Sequence, residues 1–146
     1  VTADLLKTAI AGFLAIESTR HPALAGVPVT LSGEITDAAF PMISVEETMC
    51  ELYVQDGVIM RGVNTVEIFV SVHSVPASDA EGGTSPEDHE AIAEAVYQRL
   101  GSQAFRDFAD DGILRLFDFR TAAPRIEADP PRRVSVIEIE AIACQT

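Results

Sequence analysis

The alternation of apolar and polar residues along the chain is clearest between Val63 and Leu100. Along Asn64 to Ser74, Val66, Ile68, Val70 and Val72 alternate with Glu67, Ser71 and His73, and only Phe69 interrupts the polar side. A period of two predicts a strand with one buried face. A Gly/Ser/Pro loop from Pro76 to Thr84 follows. Ser85 then stands as an N-cap, with Pro86 at the first helical position and Asp88 completing a capping box. Beyond it Ile92, Ala93, Val96 and Leu100 recur at three- and four-residue steps, an apolar stripe suited to the buried face of the strand, and Gly101 marks the helix end. Val66, Ile68, Val70, Val72, Ile92, Val96 and Leu100 are therefore expected to form one cluster.

The same reading, carried along the rest of the chain, predicts a helix from Ala3 to Ile16 with Thr2 as N-cap. Its broad face of Leu5, Leu6, Ala9, Ile10, Phe13 and Leu14 should pack on a sheet. A membrane-surface helix would need more positive charge on the polar face. Glu17 to Gly26 is a connector broken at His21-Pro22. Val27 to Ser32 alternates, but Pro28 restricts it to an edge strand or a strand start. A polar loop from Gly33 to Phe40 leads to a short strand, Pro41 to Glu46. Between Glu47 and Gly62, Asp56-Gly57 lies between Leu52-Tyr53-Val54 and Val58-Ile59-Met60, a hairpin signal preferred over a helical turn at Glu47 to Leu52. After the central helix, Ser102 to Asp111 reads as a turn or short helix that points Phe105 and Phe108 inward, and Ile113 to Phe119 as a strand. Arg120 to Arg133 contains Pro124, Pro130 and Pro131 and is expected to stay out of any sheet. Val134 to Cys144 is a closing strand, with Ile137, Ile139, Ala141 and Ala143 set against Glu138 and Glu140. The order predicts a single α+β domain over residues 1–146, a mainly antiparallel sheet with two main helices on one face.

Composition narrows the class. A chain of 146 residues that is 47% hydrophobic can bury a real core without staples. Its 10 Lys and Arg against 23 Asp and Glu give a formal charge of −13, which opposes binding to duplex DNA or an anionic membrane. Two cysteines, Cys50 and Cys144, argue for buried free thiols and not for a disulfide framework. No run approaches the ~20 apolar residues of a spanning helix, and the N-terminal stretch, interrupted by Asp4, Lys7 and Glu17, lacks the order of a signal peptide, so a cytosolic origin is expected.

None of the familiar catalytic or metal-binding patterns is present. His21, His73 and His89 have no metal-ligand spacing, and His73 and His89 read as exposed positions on a strand and a helix. Gly82-Gly83 before a helix lacks the surroundings of a phosphate loop. The acids at 79, 81, 87, 88, 90 and 94 occur without an intervening Lys or Arg but lack calcium-loop spacing, so a flexible acidic loop is the simpler reading. No GxSxG turn occurs. No enzymatic activity, cofactor or metal is expected. Arg120, Arg125, Arg132 and Arg133 form the one basic patch, either solvated and paired with nearby acids or docked on an acidic partner.

The order of an N-terminal apolar helix (Ala3 to Ile16), a Pro-led strand (Pro41-Met42-Ile43-Ser44-Val45), a long alternating strand (Thr65 to Val75), a helix opening on Glu87-Asp88-His89 and late strands resembles the tail terminator or tail completion (head-tail joining) proteins of tailed bacteriophages. The resemblance covers nearly the whole chain and rests on architecture and size. It implies a non-enzymatic virion protein of the tail or neck, assembled in the host cytoplasm as a homo-oligomeric ring, typically a hexamer. Such a ring caps the tail tube protein and meets a head-completion or neck protein while DNA passes without specific binding and no membrane is engaged. Its mobile loops would be Val75 to Thr84 and Arg120 to Arg133. In such a ring the acids Asp79, Glu81, Glu87, Asp88, Glu90 and Glu94 are expected to face the lumen. Arg120, Arg125, Arg132 and Arg133 are expected to face a protein neighbour, and Val27 to Ser32 or the final strand to serve as an intermolecular edge. Two other classes remain open: a small ligand-binding domain or enzyme using a cleft between sheet and helices, and an acidic inhibitor or DNA mimic.

Overall fold

The computed structural model describes residues 2–31, 41–76, 83–110, 112–129 and 132–145. Helix α1 (Thr2–Glu17) is followed by a 3₁₀ turn (Pro22–Leu24) and strands β1 (Val29–Thr30), β2 (Met42–Gln55) and β3 (Val58–Ser74). Helices α2 (Pro86–Leu100) and α3 (Gln103–Ala109) then precede β4 (Leu114–Thr121), β5 (Arg125–Asp129) and β6 (Arg132–Gln145). The strands form one six-stranded sheet in the order β1-β2-β3-β6-β4, with β5 also on β6 and only the β1–β2 pair parallel. The fold is α+β, as the alternation predicts.

The periodicities set the layers. Register places Val45 beside Val70 and Val70 beside Ile137, so one apolar face runs across three strands. Ala3, Leu6, Ile10, Phe13 and Leu14 of α1 and Ile92, Ala93, Val96 and Leu100 of α2 close over that face. All seven residues expected to cluster are in this core, and each fully buried aliphatic side chain there is worth about 1.5–3 kcal/mol. The α2 boundaries follow the caps: Ser85 Oγ accepts from the Asp88 N–H at 3.1 Å, and the Gly101 N–H donates to the Tyr97 carbonyl. Phe105 of α3 joins the core between Phe13 and Phe119, with ring centroids 5.3 and 4.9 Å away.

Several expectations are corrected. Residues 125–129 do enter the sheet, as β5, paired with β6. Pro124 precedes this five-residue strand and the other two prolines follow it, so none withdraws an N–H from within it. The final strand is no edge: β6 has β3 on one side and β4 and β5 on the other. Helix α1 begins at Thr2 itself. Phe108 is exposed, and Cys50 and Cys144 are free but only half-buried. The edge-strand reading of Val27 to Ser32 holds in shortened form, as β1 pairs only at Ile43 and Ser44 of β2. The 33–40 loop and most of the 76–84 loop lie outside the described residues.

Candidate functional site

Asp56 and Gly57 form the β2–β3 turn, both with positive φ (53° and 79°), as a two-residue type I′ hairpin requires. Pairing of β3 with β6 stops at Val63 opposite Cys144, so the hairpin continues past the rest of the sheet as an arm. Its register is interrupted between Leu52 and Val54, where β3 carries extra residues and Gly62 adopts a φ of 78°. Past this bulge Val54 pairs with Ile59 and Gln55 with Val58. Leu52, Val54, Val58, Ile59 and Met60 are 39–60% exposed on this arm, five of the exposed large aliphatic residues among those described, with Ile113 and Ile126 exposed elsewhere. The turn was legible in Asp56-Gly57; the projection was not, because it depends on where β6 stops.

The histidines are not where single-residue reasoning put them. His89 is buried in the first turn of α2, only 5% exposed, because that turn lies over the ends of β3 and β6. Nδ1 lies 2.7 Å from Ser74 Oγ on β3 and Nε2 2.8 Å from Ser135 Oγ on β6. Burial lowers the His89 pKa below 6.5, the nearby Arg133 guanidinium lowers it further, and Glu90 partly opposes both. His73 is also buried, on the other sheet face in register with Met42 and Val134, its Nε2 2.9 Å from Ser44 Oγ. Both rings are buried, and the Ser/His pairs tie elements together. A sequence signal existed for His89, which stands three and four residues before the buried Ile92 and Ala93.

The candidate charges are distributed as follows. Glu87, Asp88, Glu90 and Glu94 are all exposed on α2, with Glu87, Glu90 and Glu94 at helical steps on one solvent face. Glu87 and Asp88 also complement the helix N-terminus. Asp79 and Glu81 lie outside the described residues. Arg120 and Arg125 are exposed and ion-paired, Arg120 with Asp118 and Arg125 with Glu127 and Glu138. Arg125 also lies over the Phe69 ring, 5.2 Å from its centroid, which explains why a phenylalanine interrupts that polar face. Arg133 turns inward and donates to the Thr84 carbonyl at 2.8 Å, and Arg132 is half-buried. The four arginines are thus not one patch: two are paired at the surface and one holds the approach to α2. An ion pair not anticipated is Glu17 with Arg99. The buried Glu17 carboxylate accepts from Arg99 Nε and Nη2 at 3.0 and 3.2 Å, linking the ends of α1 and α2.

Beside Arg120 a cleft of about 330 Å³ opens on the sheet face opposite α1 and α2, lined by Glu67, Phe69, Thr121, Glu138 and Glu140. Register sets Glu67 directly across from Glu140, a like-charge pair that favours a basic or solvated neighbour over an anion. Among the described residues no group of three or more His, Cys, Asp or Glu side chains is placed to hold a metal ion, and no helix is long and apolar enough to cross a membrane. Comparison with protein-family models and with curated proteins finds no match.

Proposed function

We propose that this chain is a non-enzymatic virion structural protein that closes into a ring on a tailed-phage tail tube and joins it to the head or neck. The observation that carries the reading is the β2–β3 arm. Its apolar side chains stand on an element that the described chain leaves uncovered, which is how a subunit surface looks before its neighbour is added. The order of elements agrees with the resemblance: apolar helix, Pro-led strand, long alternating strand, capped helix and late strands.

The partners are further copies of the chain, the tail tube protein and a head-completion or neck protein. The net charge of −13 multiplies in a closed ring. Phosphate neutralisation and counterion release would make DNA stick to a basic wall, so an acidic lumen lets it pass. On this reading the α2 face bearing Glu87, Glu90 and Glu94 faces the lumen, and Arg120 and Arg125 face a protein neighbour. Light scattering and electron microscopy of purified protein, alone and with assembled tail tubes, test the proposal. A closed ring, alone or on the tube, is expected, with no retention on DNA at moderate salt. A strict monomer under both conditions would refute it.

A further inference from the structure

The two open edges of the sheet are finished differently. On β4 the outward backbone of Phe119 is already satisfied: its N–H donates to Asp118 Oδ1 at 3.0 Å and its carbonyl accepts from Arg106 Nη2 at 2.8 Å. A break in register between Leu116 and Asp118 disturbs the same strand. Such devices blunt an edge against further pairing. On β2 the protection stops early. β1 pairs only with Ile43 and Ser44, and among the described residues no strand lies on that side of β2 over residues 45–55. Strand alternation fixes which groups are left. Asn64 Nδ2, on β3, donates to the Glu51 carbonyl at 3.4 Å, so Glu51 turns its backbone toward β3, and Cys50, Leu52 and Val54 turn theirs to the open side.

We infer that two copies of the chain pair antiparallel along this edge, residues 49–55 of one against 55–49 of the other, with the two-fold axis at Leu52. The stretch lies between the irregularity at Glu47 and Met49 and the Asp56-Gly57 turn, and at Leu52 and Val54 the extra residues are on β3, so β2 itself runs regularly there. In this register Leu52 meets its own copy and Cys50 meets Val54, on the face that also carries Val66. The exposed Leu52 and Val54 side chains are thereby covered. Glu51 meets Tyr53 on the other face, where the phenol donates to the carboxylate. Pairing of 50 with 54, 52 with 52 and 54 with 50 supplies about six backbone hydrogen bonds. The turn of the second copy comes level with Thr48 and Glu47, short of Ser44, where β1 stands. Other registers are poorer. An axis at Glu51 sets two carboxylates face to face, an axis at Cys50 carries the ladder across the irregularity at Thr48, and an axis at Tyr53 shortens it. The contact is isologous and stops at a dimer, so it does not rest on the ring reading, which needs a separate head-to-tail contact.

Equilibrium sedimentation of the purified chain tests this, in about 0.3 M salt to screen the repulsion between two acidic copies. A monomer–dimer equilibrium is expected. Leu52→Pro removes an outward N–H that β3 does not use, so the variant should melt as a folded chain while dimerisation weakens by more than about 100-fold. Tyr53→Glu sets a carboxylate against Glu51 on both sides of the axis and should weaken dimerisation by about tenfold. Adding Glu51→Lys to Tyr53→Glu places opposite charges across the axis and should restore it. A wild-type monomer at every concentration, a dimer that Leu52→Pro leaves intact, or a Tyr53→Glu defect that Glu51→Lys fails to rescue would overturn the edge pairing. The ring reading fails separately, on the absence of rings on tail tubes.

Discussion

Replacing Ser135 by Ala tests whether the buried imidazole of His89 fastens α2 to the sheet. The substitution removes the Oγ that lies 2.8 Å from Nε2 and leaves the ring wedged against β3, still bonded to Ser74. A buried polar nitrogen without a partner costs about 1–3 kcal/mol. At this chain length that is a fall in melting temperature of about 3–9 °C, read by circular dichroism at pH 8. A pH series adds an independent readout. Because the folded pKa of His89 is depressed, the unfolded chain takes up the proton first. The stabilising contribution is therefore complete above pH 6.5 and drains away as pH falls from there through the folded pKa. His89→Gln should melt lower than wild type at pH 8 and lose less stability between about pH 6.5 and 5. A Ser135→Ala protein melting within about 1 °C of wild type, with an unchanged pH profile, would refute the fastening role.

Changing Val70 or Val96 to Asp places an unpaired charge in the fully buried seam between β3 and α2, and a loss of several kcal/mol is expected in chemical denaturation; wild-type midpoints would contradict the packing. Gly12→Ala, whose new Cβ meets Phe108 at an ordinary 3.7 Å, should stabilise the chain by about 0.5–1 kcal/mol through helix propensity, checked by the denaturation midpoint.

Period-two and period-3.6 patterns are enforced by burial on one face, which is why β3, α2 and their shared core could be read directly from Val66 to Leu100. The β5 strand could not: Ile126 and Ala128 do alternate with charged residues, but over only five positions, between prolines at 124 and 130, and with Ile126 left exposed, so pairing with β6 and not burial makes the strand. Strand order was equally hidden: nothing local in Val134 to Cys144 distinguishes a central strand from an edge. Burial of His73 and His89 depends on partners distant in sequence, Ser44 for one and Ser74 with Ser135 for the other. The prospective site was only partly legible. Asp56-Gly57 announced a turn, whereas the arm exists because β2 and β3 outrun β6.

The position of β6 in the sheet also dictates an order of events. β2 and β3 are joined by a two-residue turn and can zip locally, but β3 must wait for residues roughly 60 to 80 positions further along before its second edge is paired. Until then β3, β4 and β5 share no neighbour, and Val66 and Val70 of β3 lack the strand that later flanks them. Docking of β6 is thus expected to be the slow step of folding, and a chain that has not yet made it holds a β2–β3 hairpin and helices α1, α2 and α3 without the central pairing. Its valine-rich edge is then open to other nascent chains, so misassembly should be greatest in that interval.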